Sequence, residues 1–208
     1  MCYVEERMDN VIIIGAGGHA LSVLESAECR IAGFIDEFKT GSYYQYKIIG
    51  NSIYDINDRW KYSYHIAIGN VLVRNRWREV IEALGLKMTS IIDRTANVSD
   101  SATVKEGCYI GKMAVIDANV VVGKNCIVNT GAIIEHGSII GNDSNISTGA
   151  VINGDVVTGE RVMIGSNSVC NGQLEIKDDV TVGSGAVVVG DVRSNVTVVG
   201  VPAKEIAL

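Results

Sequence analysis

From residue 98 onward an aliphatic side chain returns at every sixth position. The series runs Val98, Val104, Ile110, Ile116, Val122, Val128, Ile134, Ile140, Ile146, Ile152, Thr158, Ile164, Cys170, Ile176, Val182, Val188. Fourteen of the sixteen are Val or Ile, and the register never slips. Four places after each stands a second residue, mostly small, as at Ala102, Cys108, Ala114, Cys126, Ala132, Ser138, Ser144, Ala150 and Ser168. Gly often follows the aliphatic residue directly, as at Gly111, Gly123, Gly141, Gly159, Gly165 and Gly183. A helix would repeat near 3.6, and ankyrin-like or leucine-rich repeats are far longer.

The period predicts a coil of short flat faces with a turn every six residues. On each face one large and one small side chain point inward. Gly marks the corner, where a positive φ or crowding would penalise a Cβ. Three faces close a triangle, so eighteen residues complete one coil and residue n stacks on n−18 at roughly 4.8 Å. The expected fold here is a left-handed parallel β-helix of about five coils. One end of this prism is expected under the N-terminal domain. The outer faces carry Met113, Val115, Val121, Ile127, Ile133, Ile139 and Val151. Such apolar faces suit burial in a homotrimer of cyclic symmetry, with cover by the chain's own loops as the alternative.

The first part of the chain reads differently. Seven of the eight Tyr lie within the first 64 residues. An apolar run, Val11 to Ile14, marks a strand over 8–15 that is buried on both faces. Gly15-Ala16-Gly17-Gly18 follows, then a helical pattern over 19–29. Further strands are expected over 31–35 and 65–68, and a second helix over 73–84 that stops at Gly85. This is a small Rossmann-like βαβ unit. The expected domains are 8–88, the α/β unit, and 89–208, the β-helix. Residues 1–7 read as an extension ahead of Met8.

The formal charge of −6 and the absence of a Lys/Arg stripe argue against a nucleic-acid partner. Apolar runs are too short to span a bilayer, and residues 1–7 lack a signal peptide's apolar stretch. The cytoplasm is the expected compartment. Cys2, Cys29, Cys108, Cys126 and Cys170 show neither CxxC spacing nor His neighbours, so no metal site is expected and the thiols read as small reduced residues.

Three His occur, His19, His65 and His136, and only His136 lies in the repeats. Its position is neither of the inward ones, so it projects outward. An imidazole is a ready general base near neutral pH. Eighteen residues on stands Gly154, whose N–H would be open to an oxyanion formed in acyl transfer. A corner Gly without a role is the plainer alternative. Cys108 and Cys126 are expected to face inward, so neither is placed as a nucleophile.

The repeats together with Gly15-Ala16-Gly17-Gly18-His19, Phe34-Ile35-Asp36, Ile68-Gly69-Asn70, Asn129-Thr130, Ile134-Glu135-His136 and Gly200-Val201-Pro202-Ala203-Lys204 resemble the sugar O-acyltransferases. That family includes bacterial sialic acid O-acetyltransferases and UDP-4-amino-sugar N-acetyltransferases. Ile134-Glu135-His136-Gly137 with Ser144-Asn145-Ile146-Ser147-Thr148 is most similar to the sialic acid branch. The resemblance implies acetyl-CoA as co-substrate and a sugar acceptor, with the active site between subunits of a trimer. It implies that His136 is the base, with Asn129 beside it in the catalytic set, and that Gly154 N–H binds the thioester oxygen. Ser166, Ser184, Gly185, Pro202 and Lys204 match positions along the CoA arm. Gly17, Gly18, His19, Asp36 and Gly69 match the nucleotide-sugar pocket of the amino-sugar branch.

Two positions depart from the family pattern. Many members carry an acid directly after the catalytic His, where this chain has Gly137. Asn145 stands where many have a second His against acetyl-CoA. Asn129, Glu135, Asp155 or a carboxylate of another subunit would then orient His136.

O-acetylation of sialic acid is the reading this resemblance favours. N-acetylation of a nucleotide-linked amino sugar is one alternative, and a non-catalytic trimeric partner of a biosynthetic enzyme is another. Gly15-x-Gly17-x-x-Ala20 with Asp36 also fits a dinucleotide fingerprint. No second half of that fold follows it, so a nicotinamide enzyme ranks last.

Overall fold

The computed structural model describes residues 10–207. The start of the first strand at Met8, the extension over 1–7 and Cys2 lie outside the described residues. The chain forms an α/β Rossmann-like domain followed by a left-handed parallel β-helix.

The first domain is built on strand β1 (Asn10–Ile14), whose four apolar residues are fully buried because both faces are covered. Helix α1 (Gly18–Ser26) connects it to β2 (Arg30–Ile35). A hairpin follows, β3 (Ser42–Tyr43) and β4 (Tyr46–Gly50). Then come β5 (Ser63–Ile66), α2 (Val71–Ala83) and β6 (Lys87–Met88). The sheet order is β3-β4-β2-β1-β5-β6, parallel except for β3. The sequence pattern reveals β1, β2 and β5 but not β3, β4 and β6. Two of those are two residues long, and β4 reads Tyr-Lys-Ile-Ile-Gly, with an aliphatic run of only two residues.

Helix α2 starts two residues earlier than expected, because Asn70 caps it by accepting from Val73 N–H at 3.0 Å. It stops at Gly85, which takes φ +63. Gly85 N–H donates to Glu82 O and Leu86 N–H to Ile81 O, the paired bonds of a Schellman end.

From Ile91–Ile92 onward, two-residue strands recur every six residues up to Val187–Val188. They pair in parallel with partners eighteen residues away, as in Ile116 with Ile134 and Ile134 with Ile152. The register changes only at the top, where Val182 pairs with Val198 and Ile176 with Val192. Three sheets result, one for each face of the prism. The first contains Tyr109, Ile127 and Asn145, the second Val115 and Ile133, the third Val121 and Ile139. The aliphatic column and the small column together form one dry core from Cys108 to Val198.

Of the two expected reasons for glycine at the corners, crowding is the one observed. Gly111, Gly123, Gly141, Gly159, Gly165 and Gly183 do not take the left-handed conformation. They are glycine because a Cβ would strike the next coil, as at Gly111, where Thr130 N lies 2.9 Å from it. The positive φ falls two positions later. Met113, Asn119, Asn125, Asp143, Asp155, Arg161, Asn167, Gln173 and Asp179 carry it, with Gly131, Gly137, Gly149 and Gly185 at equivalent turns. Asn and Asp tolerate this region best among non-glycine residues.

The N-terminal domain rests on the flank of the first face, not over the end of the prism. Ile91, Tyr109 and Ile127 pack into the same cluster as Val11, Ile13, Ala16, Ala20 and Phe34. Ile127 is therefore buried inside the chain and is not free for a neighbouring subunit. Met113 and Ile139 stay open, 71% and 45% exposed. Cys108, Cys126 and Cys170 are buried free thiols, and Cys29 is half-buried. No helix among the described residues is long and apolar enough to cross a membrane.

Candidate active site

His136 sits in the turn between the second and third faces. Ile134 and Ser138 point inward on either side of it and fix its outward direction. Ser138 Oγ accepts from Val156 N–H and donates to Asn153 O, both at 3.1 Å, which ties this turn to the one above. The imidazole stands under Gly154. A Cβ at Gly154 would lie 2.5 Å from Cε1 and 2.7 Å from Nε2, so only glycine fits above this ring. Gly154 N–H makes no hydrogen bond among the described residues, which leaves a free donor beside the imidazole. Gly172 and Gly190 continue the column in eighteen-residue steps. A track free of side chains thus rises from His136 along the corner, with room for an extended co-substrate.

The remaining residues of the catalytic and co-substrate sets lie elsewhere. Asn129, Ser166, Ser184 and Gly185 occupy the corner between the first and second faces. Asn129 Oδ1 is held by Thr130 N–H at 2.8 Å. Asn145 is buried on the first face, and its Oδ1 has no partner. Pro202 and Lys204 belong to a terminal hairpin in which Lys204 pairs with Val199. One face of the prism therefore separates these groups from His136 within a single chain.

All five residues expected for substrate binding line one cavity of about 250 Å³ in the first domain. It lies at the C-terminal ends of β1, β2 and β5, where parallel α/β sheets bind ligands. Gly15 takes φ +96, and a Cβ there would lie 2.7 Å from Ile68 Cγ1, so the turn into α1 needs glycine. Gly17 and Gly18 are uncrowded, and their backbone faces open space at the helix start. Gly69 joins them from the end of β5, and Phe38 stands on the rim, 91% exposed.

Asp36 lines the cavity while its carboxylate braces the loops. Oδ2 accepts from Ala16 N–H at 2.8 Å, and Oδ1 from the amides of Phe38 at 3.0 Å and Lys39 at 2.9 Å. Burial alone would raise its pKa, but these three amides and the Lys39 ammonium hold it below the usual value. Tyr43 Oη donates to Gly17 O at 2.6 Å and Lys39 Nζ to Ala16 O at 2.5 Å, so the hairpin clamps the glycine turn.

His19 reaches inward from α1, edge-on to Tyr109 with ring centroids 4.9 Å apart. Its Nε2 is buried and has no hydrogen-bond partner among the described residues. Burial first, then the nearby His65 and Arg74, lower its pKa to about 4. His65 is a buried strand residue whose Nδ1 lies 3.1 Å from Thr89 O. Because a carbonyl only accepts, Nδ1 carries the proton and Nε2 is left as a bare buried acceptor.

The residue that sequence reading missed is Arg74. It is only 1% exposed. Its guanidinium donates to Asn125 O (2.9 Å), Ile68 O (3.0 Å), Gly69 O (3.1 Å), Asp143 O (2.7 Å) and Ser144 O (3.3 Å). Ile68 and Gly69 line the cavity, whereas the other three lie on the β-helix. Arg74 therefore fixes the cavity's edge to the coil. The available signal was its phase: Arg74, Trp77 and Ile81 form the buried stripe of α2.

Residues 10–81 match the family model described as the PglD N-terminal domain. The acetyltransferase domain of PglB from Neisseria gonorrhoeae superposes with a TM-score of 0.91 at 32% identity, covering 95% of this chain and 100% of that one. A single-residue variant of perosamine N-acetyltransferase from Caulobacter crescentus, in complex with CoA and GDP-perosamine, gives 0.91 at 28% identity over 95% and 97%. WeeI from Acinetobacter baumannii shares the fold, with a TM-score of 0.85 at 24% identity over 95% and 99%. No curated protein matches the sequence. With a relative of this identity aligned over its whole length and a Val/Ile coil that stacks glycine on histidine, the chain belongs to the hexapeptide-repeat, acetyl-CoA-dependent sugar acetyltransferases.

Proposed function

We propose that the protein moves the acetyl group of acetyl-CoA onto the amino group of a nucleotide-linked amino sugar. The observation that carries this reading is the pairing of His136 under Gly154 with a separate glycine-walled cavity at the start of α1. Among the solved relatives, one is a perosamine N-acetyltransferase with CoA and GDP-perosamine bound. Another is an acetyltransferase domain with acetyl coenzyme A, 28% identical. The glycine turn and helix start would receive the nucleotide diphosphate, and Gly17, Gly18, His19, Asp36 and Gly69 would shape its pocket.

In the transfer, the neutral amine attacks the thioester carbon to form a C–N bond and a tetrahedral oxyanion, whose collapse breaks the C–S bond. Gly154 N–H donates to the oxyanion. His136 takes the amine proton and returns it to the departing CoA thiolate. The products are the N-acetyl sugar and CoA thiol. The side-chain-free track above His136 has room for the pantetheine arm. Asn129, Ser166, Ser184, Gly185, Pro202 and Lys204 would meet it from a second copy in a homotrimer, since each lies off the His136 corner of its own chain, whereas Asn145 is buried within its own chain.

O-acetylation of sialic acid is the second reading, favoured by Ile134-Glu135-His136-Gly137 and Ser144-Asn145-Ile146-Ser147-Thr148. The two are separated by one panel. Pure protein is incubated with acetyl-CoA and either GDP- or UDP-linked 4-amino sugars or free or CMP-linked sialic acid, and thiol release and acetyl gain are followed. Turnover on the amino sugars, lost by at least 10²-fold in His136→Ala, is the expected result. Turnover confined to sialic acid selects the second reading, and no turnover above the His136→Ala control on any acceptor overturns both.

A further inference from the structure

The turn after His136 has a feature that the coil geometry does not require. Gly137 takes φ +70 at a turn position where Met113, Asn119, Asn125 and Asp143 take φ +57, +59, +55 and +60 with side chains in place. Conformation therefore does not demand glycine at 137, and what a Cβ there would meet is the end of a single side chain. A Cβ on Gly137 would overlap Asp155 Oδ1, because the Asp155 carboxylate reaches down from the coil above and lies over Gly137. At the same corner the His136 ring reaches up and lies under Gly154. His136 and Gly137 are neighbours on one coil, Gly154 and Asp155 neighbours on the next, and Asp155 N–H donates to His136 O at 2.9 Å. Imidazole and carboxylate thus pass each other between the same two coils, each over the glycine beside the other, about one residue step of 3.8 Å apart along the chain.

We propose that Asp155 is the positioning carboxylate for His136, supplied across coils, and that residue 137 is glycine to admit it. This rests on the acetyl-transfer reading above. As His136 takes the acceptor's proton, the Asp155 charge stabilises the imidazolium and fixes the ring's face toward the acceptor. The other charged groups near this corner are Glu135, beside His136, and Asp117, one coil below Glu135. Asn153, Asn171, Asn119 and Gln173 at the neighbouring turns are neutral. The Asp155 side chain makes no hydrogen bond or ion pair among the described residues, so no other group draws it away.

The molecule contains its own control. Asn167 lies over Gly149 in the same manner, with φ +54 against +59 for Asp155. An Asn at this kind of turn is therefore compatible with the coil, and Asp155→Asn removes charge without removing shape.

The test measures kcat and the pH profile of kcat/KM on the best acceptor for four proteins besides wild type. Asp155→Asn is expected to lower kcat on the order of tenfold, a fraction of what a general base contributes. It should also move the acid limb of the profile to lower pH, a shift that a purely structural role would not produce. Gly137→Asp alone is expected to impair activity through overlap with Asp155. Asp155→Gly combined with Gly137→Asp returns a carboxylate to the same gap from the lower coil and is expected to recover both the rate and the limb. An unmoved limb and unchanged kcat in Asp155→Asn, with His136→Ala inactive, overturns this proposal and leaves the acetyl-transfer reading standing. Full turnover by His136→Ala overturns that reading itself.

Discussion

The two halves of this chain reach a buried core by opposite routes. In the coil each strand up to Val188 pairs mainly with strands eighteen positions away, and the core is a stack of Val, Ile and small side chains without a charge. In the first domain the sheet brings together strands far apart in sequence, and its junction with the coil is polar. Arg74, Asn125 and Asp143 are buried there, and His65 lies close by in β5. The coil needs only its period to define its geometry. The first domain needs specific hydrogen bonds to define where it sits. The proposed chemistry follows this division, with the base on the repetitive part and the acceptor pocket on the part held by a clamp.

The strongest way to break the coil's side of this comparison is Gly154→Ala. The added methyl would meet the His136 ring at 2.5 Å and displace it. We expect kcat to fall by 10²-fold or more, while thermal unfolding moves little because residue 154 lies outside the dry core. A variant with near wild-type turnover would separate Gly154 from the site.

The first domain's side is broken by Arg74→Met. Methionine fills part of the volume but takes the guanidinium donor from the carbonyls of Asn125, Ile68, Gly69 and Asp143, while Ser144 O keeps its bond from Ile127 N–H, and we expect destabilisation of about 3 kcal/mol or more. Urea unfolding followed separately by Trp fluorescence, which reports the first domain through Trp60 and Trp77, and by far-UV signal should show the first domain opening before the coil. A single coincident transition with an unchanged midpoint would show that the clamp contributes nothing.

The smallest effect is the dependence on pH. Burial, with Arg74 adding to it and the bond to Thr89 opposing it, lowers the pKa of His65 to about 4 from 6.5. The unfolded chain thus binds this proton more readily than the native one. Stability is complete above pH 6.5, falls as the pH drops toward 4 and levels below it, by about 3 kcal/mol for His65. His19, lowered to about 4 chiefly by burial, acts in the same direction. Urea midpoints at pH 7 and pH 4.5 for wild type and His65→Phe test this. The variant should lose less stability on acidification, and equal losses would place the sensitivity elsewhere.

Legibility in the sequence followed the same line. The aliphatic column, the small column and the stacking of Gly154 on His136 could be counted from the chain because the coil repeats without insertion to Val188. The role of Gly137 could not, since it depends on which way the Asp155 side chain leans between coils. Nor could the flank position of the first domain, which buries Ile127, or the part of Arg74, an ionic residue in an apolar stripe. Both arise from docking two surfaces that no local pattern describes.

By itself, then, the sequence determined a three-sided coil and placed one histidine beneath one glycine, because a six-residue period allows a single way to wind. Only the tertiary structure decided where the glycine-walled cavity lies relative to that coil. It also decided that the remaining residues proposed for acetyl-CoA stand on another corner. Those relations depend on long-range hydrogen bonds and on the shapes of packed surfaces, and periodicity carries neither.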